Sequence, residues 1–229
     1  MRSAKQEPAM MFFESRQRDF GFSNQEILEF TAFKKEWKDL PKDPYLPPEF
    51  GSRYRKYAKF CYRGDTGQFE RIEATPYFQS DAVNPVSGGM HRSFAIFEEG
   101  AADEVLKKIL KKNLDALELD PWQDWVINVH LIRIVASAEV AGVPCPEGVH
   151  SDGFHAISIH LIDRFNIVGD ETTIYDNSNA LLGKCRLQDT LDTVYAFDEY
   201  VKHFTSDFKS LDGKQGYRDT LLTSFDSER

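Results

Sequence analysis

Cysteine is scarce in this 229-residue chain, with three in all: Cys61, Cys145 and Cys185. Their wide spacing and odd number give no CxxC pair. That excludes a zinc ribbon, a dithiol redox motif and a disulfide scaffold. No run of ~18–20 apolar residues occurs, so no membrane span is expected. The first twenty residues lack the apolar core of a secretory leader. Internal repeats and low-complexity tracts are also missing. Positive charge is in deficit, with 28 Lys and Arg against 37 Asp and Glu, a formal charge of -9. Such a chain offers no overall electrostatic footprint for nucleic acid or an anionic membrane. A soluble cytoplasmic protein acting on a small molecule is the expectation, with a homodimer allowed for.

What is present is apolar and aromatic. Hydrophobic residues make up 41% and aromatics 13%, with 18 Phe, enough for a substantial core. Residues 1–20 show no clear periodicity and read as a flexible arm. Ser23-Asn24 then starts a helix whose Ile27, Leu28, Phe30, Phe33 and Trp37 fall at mostly helical spacing. The proline-rich PKDPYLPPEF ends it, and SRYRKYAKFCYRG alternates as a strand up to the turn GDTG. A second helix is predicted from Ala102 to Leu117. Beyond Pro121 the chain is short and β-rich: WVINVHLIRIVAS, FHAISIHLID, ETTIYDN, DTVYAFD, YVKHFTS and YRDTLLTSF. The fold class expected is mainly β with flanking helices, a double-stranded β-helix of the jelly-roll, cupin-like kind. The organisation expected is one domain over 1–229, with a helical and mixed support over 21–120 and the β-helix core over 121–229.

Six histidines are present, and one segment stands out, PEGVHSDG. His150 and Asp152 are two apart, so in extended chain both side chains share a face. A histidine from another strand would complete a two-His, one-carboxylate triad, and His203 in YVKHFTS is the candidate. Such a triad suits iron(II) and leaves three coordination positions open. A 2-oxo acid can fill two of these and dioxygen the third. The far carboxylate of 2-oxoglutarate then needs a fixed cation. Arg218, on the predicted strand after His203, has the planar fork that suits it. A blander reading stays open on spacing alone, with His150 and Asp152 a surface pair and His203 a satisfied core histidine.

At these residues the chain resembles the 2-oxoglutarate/iron dioxygenases that include the bacterial L-isoleucine 4-hydroxylases and related free amino acid hydroxylases. The resemblance is carried by YFQSDAVNPVSGGMHRSF, VHLIRI, PEGVHSDG, RFNIVGDETTIYD, the His203 strand and YRDTLLTSF, in that order. It does not extend to the first ~50 residues. It departs from the family pattern at Gly169-Asp170, where the family often has Gly-Gly before the acid. It implies iron on His150, Asp152 and His203, with 2-oxoglutarate on Arg218. The reaction implied is hydroxylation of an unactivated carbon of a free L-amino acid or small derivative, with release of succinate and CO2. No catalytic residue beyond the metal centre is expected.

Further candidates come from the same stretches. Asn166 and Tyr175 would hydrogen-bond 2-oxoglutarate or position a loop. Arg92, Arg53 or Arg164 would meet a substrate carboxylate, unless each is a structural arginine. By strand parity His160 shares the face of His150 and Asp152, and His155 points away; packing or supporting roles are expected for both. His130 is expected to line the barrel or its core. Arg133 lines the cavity or makes an ion pair. Asp219 points away from Arg218. The acidic run DEYVKHFTSDF reads as a solvated edge. Two rivals remain: a cupin-like metal enzyme that does not use 2-oxoglutarate, and a non-catalytic sensor on the same scaffold.

Overall fold

The computed structural model describes residues 11–16, 20–100 and 102–227. The elements in its first half are β1 (Phe12–Ser15), α1 (Asn24–Phe33), β2 (Ser52–Arg63), β3 (Gln68–Ile72), β4 (Tyr77–Phe78), β5 (His91–Arg92) and α2 (Ala102–Ala116). Then come β6 (Trp125–Ala136), β7 (Ala156–Phe165), β8 (Ile167–Gly169), β9 (Thr172–Asp176) and β10 (Leu181–Cys185). The chain closes with β11 (Thr193–Ala196), β12 (Val201–Thr205), β13 (Phe208–Ser210) and β14 (Gly216–Ser227).

Seven strands form the larger sheet in the order β1-β11-β7-β14-β6-β2-β3. Opposite it lie β10-β9-β12 and the pair β13-β8. Isolated bridges, Gly142 to Phe208 and His150 to His203, extend this second layer. Two facing antiparallel sheets make the jelly roll, and its interior is where the site sits.

Alternation decides which residues face which layer. On β6, Ile127, Val129 and Leu131 join Leu106, Ile109, Leu110 and Leu114 of α2 in the main core. Each such side chain, fully buried, contributes roughly 2 kcal/mol. Residues of the opposite parity, His130, Ile132 and Ile134, face the interior cavity instead. α1 starts with a capping box: Ser23 Oγ accepts from Glu26 N–H, and Glu26 Oε2 accepts from Ser23 N–H. The predicted helix continues as a 3-10 turn over Lys34–Asp39. There Trp37 is buried and donates its indole N–H to the carbonyls of Ile132 and Thr220.

Two expectations change. Part of the expected arm lies outside the described residues. Of the rest, Phe12–Ser15 is a strand paired with β11, and Phe13 stacks on Tyr195 at 4.9 Å. The parity argument for His160 also fails. The chain turns between Asp152 and β7, with Gly153 at φ +86°, so the count restarts. His160 faces α2, where Asn113 Nδ2 meets its Nε2 at 3.0 Å and Thr193 Oγ1 meets its Nδ1 at 2.7 Å.

Candidate metal centre

His203 is the middle residue of β12, whose burial alternates so that Val201, His203 and Thr205 turn inward. His150 reaches it through an antiparallel bridge. His150 N–H donates to the His203 carbonyl at 3.1 Å, and the reverse bond is 2.8 Å. The two rings end 4.4 Å apart. His150 Nδ1–H donates to the Gly148 carbonyl at 2.8 Å, which leaves Nε2 as the nitrogen facing inward.

Asp152 sits not on a regular strand but on the turn into β7. Asp198 holds that turn, accepting from the backbone N–H groups of Asp152, Gly153 and Phe154 at 2.9, 2.6 and 2.9 Å. Burial and the charge of Asp152 push Asp198 up to about 7, against those three amides. The acidic run is therefore not all solvated edge, since Asp198 is buried. Asp152 Oδ1 lies 3.7 Å from His150 Nε2, and Oδ2 lies 3.9 Å from His203 Nε2. One ligand atom from each of the three falls within 4.8 Å of the others. Asp152 Oδ2 is buried without a hydrogen-bond partner. An inward carboxylate oxygen lacking a donor, beside two imidazoles, fits one metal ion. Burial works to lower His150, but Asp152 and Glu147 raise it to about 9. Burial and the charge of His150 lower His203 to about 4. Burial opposes the ionised Asp152, yet His150 and His203 hold it below the usual carboxylate range.

Arg218 lies on β14 opposite Ile134 of β6 and Arg164 of β7. It is 4% exposed, and its Nε and Nη2 have no hydrogen-bond partner among the described residues. Burial lowers its pKa, while Asp170 raises it. Asp170 Oδ2 is 3.5 Å from Nε, so the charge is partly balanced. Asp170 is the residue where the family-like pattern departs, and it stands at φ +61° after Gly169 at φ +112°. Asp219, on the other face, takes a two-pronged bond from Arg133 at 2.7 and 2.6 Å, so Arg133 is in an ion pair.

His150, Asp152, His203 and Arg218 line one cavity. Arg53 and Arg92 line it too, as does His130, whose ring nitrogens are both buried and unpartnered. The ring is packed against Tyr57 and Tyr77, and burial with nearby Arg55 keeps it neutral.

Three candidates do not line this cavity. Asn166 and Tyr175 are not among the lining residues. The Asn166 amide instead ties the loop at Ser210, Asp212 and Lys214. Tyr175 sits half-buried on β9 between Leu181 and Lys202. Arg164 turns from the cavity to pair with Asp170 at 2.8 Å. His155 stacks on Trp125 and meets Glu199, away from the metal centre. Sequence reasoning missed Arg55, Gln79 and Glu147. Arg55 has the same parity as Arg53 on β2, and Glu147 lies inside PEGVHSDG, so both left a signal. Gln79 lies inside YFQSDAVNPVSGGMHRSF, but its role shows only in three dimensions: it donates to the Asp152 carbonyl at 2.9 Å and accepts from Arg92 Nη2 at 2.6 Å.

A family model described as 2OG-Fe dioxygenase matches residues 34–224. The chain belongs to that family. The dioxygenase is an oxidoreductase that uses iron(II), 2-oxoglutarate and dioxygen. It is 26% identical over 212 residues to the 3(1)-hydroxy-L-isoleucine 4-dioxygenase of Pantoea ananatis (strain AJ13355), covering 89% of this chain and 84% of that one. The crystal structure of IDO from Bacillus thuringiensis superposes with a TM-score of 0.77 at 18% identity, over 96% and 91% of the two chains. A BsmA homologue from Methylobium petroleophilum PM1 superposes with a TM-score of 0.75 at 24% identity, over 91% and 83%. These structures share the jelly-roll fold. No helix among the described residues of the dioxygenase is long and apolar enough to cross a membrane.

Proposed function

We propose that this dioxygenase hydroxylates an unactivated carbon of a free L-amino acid or small amino acid derivative, turning 2-oxoglutarate into succinate and CO2. His150, Asp152 and His203 hold the iron, and Arg218 takes the far carboxylate of 2-oxoglutarate. The observation that carries the reading is the unpartnered edge of Arg218, opening on the same cavity as the metal-binding triad. Nη2 has no hydrogen-bond partner among the described residues and Nε has only Asp170 Oδ2 at 3.5 Å, so this buried guanidinium keeps N–H groups that match a carboxylate, not a neutral group. The bound iron supplies activation of dioxygen coupled to decarboxylation of the 2-oxo acid.

The chain itself does the positioning. Asp198 keeps the Asp152 turn in place, and the Gly148 carbonyl fixes the tautomer of His150. Arg92 and Arg53 offer the substrate carboxylate a cationic wall. Arg92 is already oriented by Ser87 and Gln79 at 2.7 and 2.6 Å, and its Nε is left over. Tyr77 and Phe94 back that wall, with the Arg92 guanidinium 5.0 Å over the Tyr77 ring. Support for an amino acid substrate comes from the Pantoea ananatis relative, whose name specifies a hydroxy-isoleucine. The protein acts as one domain in the cytoplasm on a small molecule, without nucleic acid or membrane.

A panel of free L-amino acids tests this. Each is incubated with the protein, iron(II), 2-oxoglutarate and oxygen. At least one should stimulate succinate release and gain one oxygen atom by mass spectrometry. A panel in which succinate never rises above the substrate-free rate would refute the amino acid assignment.

A further inference from the structure

Glu147 stands on the loop that leads into His150. Its side chain is only 9% exposed, and its Oε1 lies 3.3 Å from His150 Nε2. Its other oxygen, Oε2, is buried and has no hydrogen-bond partner. The residue lines the same cavity as the metal-binding triad, yet it falls outside the group of side chains close enough to share one ion. A carboxylate held this way, away from water, is costly unless a cation meets it.

The arginines that line the cavity are oriented by groups other than Glu147. Arg53 Nη2 donates to the Pro144 carbonyl at 2.7 Å, Arg55 pairs with Asp43 at 3.4 Å, and Arg92 donates to Ser87 and Gln79. None of these arginines makes an ion pair with Glu147 among the described residues. The charged neighbour Glu147 has is His150, whose Nε2 is the atom a metal would take, so a further partner for the free Oε2 comes in with the ligand, as a compact donor of positive charge.

We propose that Glu147 receives the α-ammonium of the substrate. This rests on the amino acid reading above and sharpens it. The substrate carries a free amine, so N-acylated, peptide-bound and 2-hydroxy counterparts are rejected. The arginine wall and Glu147 then bind the two poles of one zwitterion. Since Glu147 touches a metal-binding histidine, the ammonium end is anchored beside the metal centre. The carbons presented for reaction are those within a few bonds of the amine.

The test is calorimetric binding without oxygen, on protein loaded with iron(II) and 2-oxoglutarate. The probes are the amino acid with the highest turnover in the panel, its N-acetyl derivative and its 2-hydroxy acid. Wild type should bind the amino acid on the order of 100-fold more tightly than the 2-hydroxy acid, with no measurable binding of the N-acetyl form. Glu147→Gln should lose most of that preference while binding iron(II) and 2-oxoglutarate within about 3-fold of wild type, and Glu147→Asp should regain part of it. Equal affinity of wild type for the amino acid and the 2-hydroxy acid overturns the proposal without any variant. So does a Glu147→Gln protein that keeps the preference, or one that loses iron(II), which would make Glu147 part of the metal site. If wild type binds no amino acid, the amino acid reading itself fails and this inference falls with it.

Discussion

On the reading proposed above, Arg218 is the residue that takes the far carboxylate of 2-oxoglutarate. Its guanidinium is buried, cationic and short of partners, since Asp170 stands at 3.5 Å and does not complete a hydrogen bond to Nε. Removing a charge that pairs with a buried ligand typically costs ~2–5 kcal/mol of binding. Arg218→Ala should therefore raise the 2-oxoglutarate concentration needed for half-maximal succinate formation on the order of 100-fold. Arg218→Lys should recover only part, because an ammonium cannot make the two-pronged contact. An unchanged requirement in the alanine variant would move the co-substrate elsewhere in the cavity. At this scale the sequence was informative where a rare residue type met a strict spacing. His150 and Asp152 two apart, then a histidine and an arginine on later strands, drew attention to the four side chains that the fold gathers around one cavity. It was silent where a role depends on a distant partner. Gln79 stands in a family-like stretch, yet nothing there says that it ties Asp152 to Arg92, and nothing local separates Arg164, which turns away to Asp170, from Arg92, which lines the wall.

Between residue and fold, the element that matters most is the turn from Asp152 to β7. It has no strand ladder to hold it, so its three successive backbone N–H groups depend on the one carboxylate of Asp198. Asp198→Asn replaces an acceptor oxygen with a donor and leaves at least one buried N–H opposed. The expected loss is ~1–3 kcal/mol of local stability. Because Asp152 rides on this turn, iron(II) affinity should fall roughly 10- to 100-fold, as it does when groups supporting a metal ligand are removed. Metal titration beside a thermal melt checks both, and a variant that melts early but binds iron(II) normally would separate the turn from the metal centre. This turn also explains what strand reasoning could and could not read. The long strands β2, β6 and β14, each twelve residues, carry enough alternation to be recognised alone. β8 and β13 have three residues each and exist only because they pair with each other. Parity counted from His150 through Gly153 to His160 fails because the φ +86° turn reverses the chain's facing between them.

The whole molecule is layered: helices on one face of the larger sheet and the reaction cavity on the other. His160 is a junction of the helical layer. It is 0% exposed, its Nδ1–H meets Thr193 Oγ1, and its Nε2 accepts from Asn113 of α2. Asn113 also reaches Ser158 and Thr223, so one small polar network ties α2 to β7, β11 and β14. The network needs a neutral imidazole, because a proton on Nε2 would face the Asn113 amide donor. Burial accordingly lowers the His160 pKa from 6.5 to about 3. The sign follows from linkage. Below pH ~6.5 the unfolded chain takes up a proton that the folded chain refuses, so the stability present above that pH is lost as pH falls toward 3. One such group contributes a slope of up to ~1.4 kcal/mol per pH unit. Unfolding free energies from urea titrations at pH 7, 6, 5 and 4 should fall steadily in wild type. In His160→Gln, which keeps an amide in place of the titrating ring, the same plot should be shallower by about that slope, even if the variant starts from a lower value at pH 7. Parallel plots would mean that the acid sensitivity resides in other buried groups and that His160 is already free to take its proton in the folded protein.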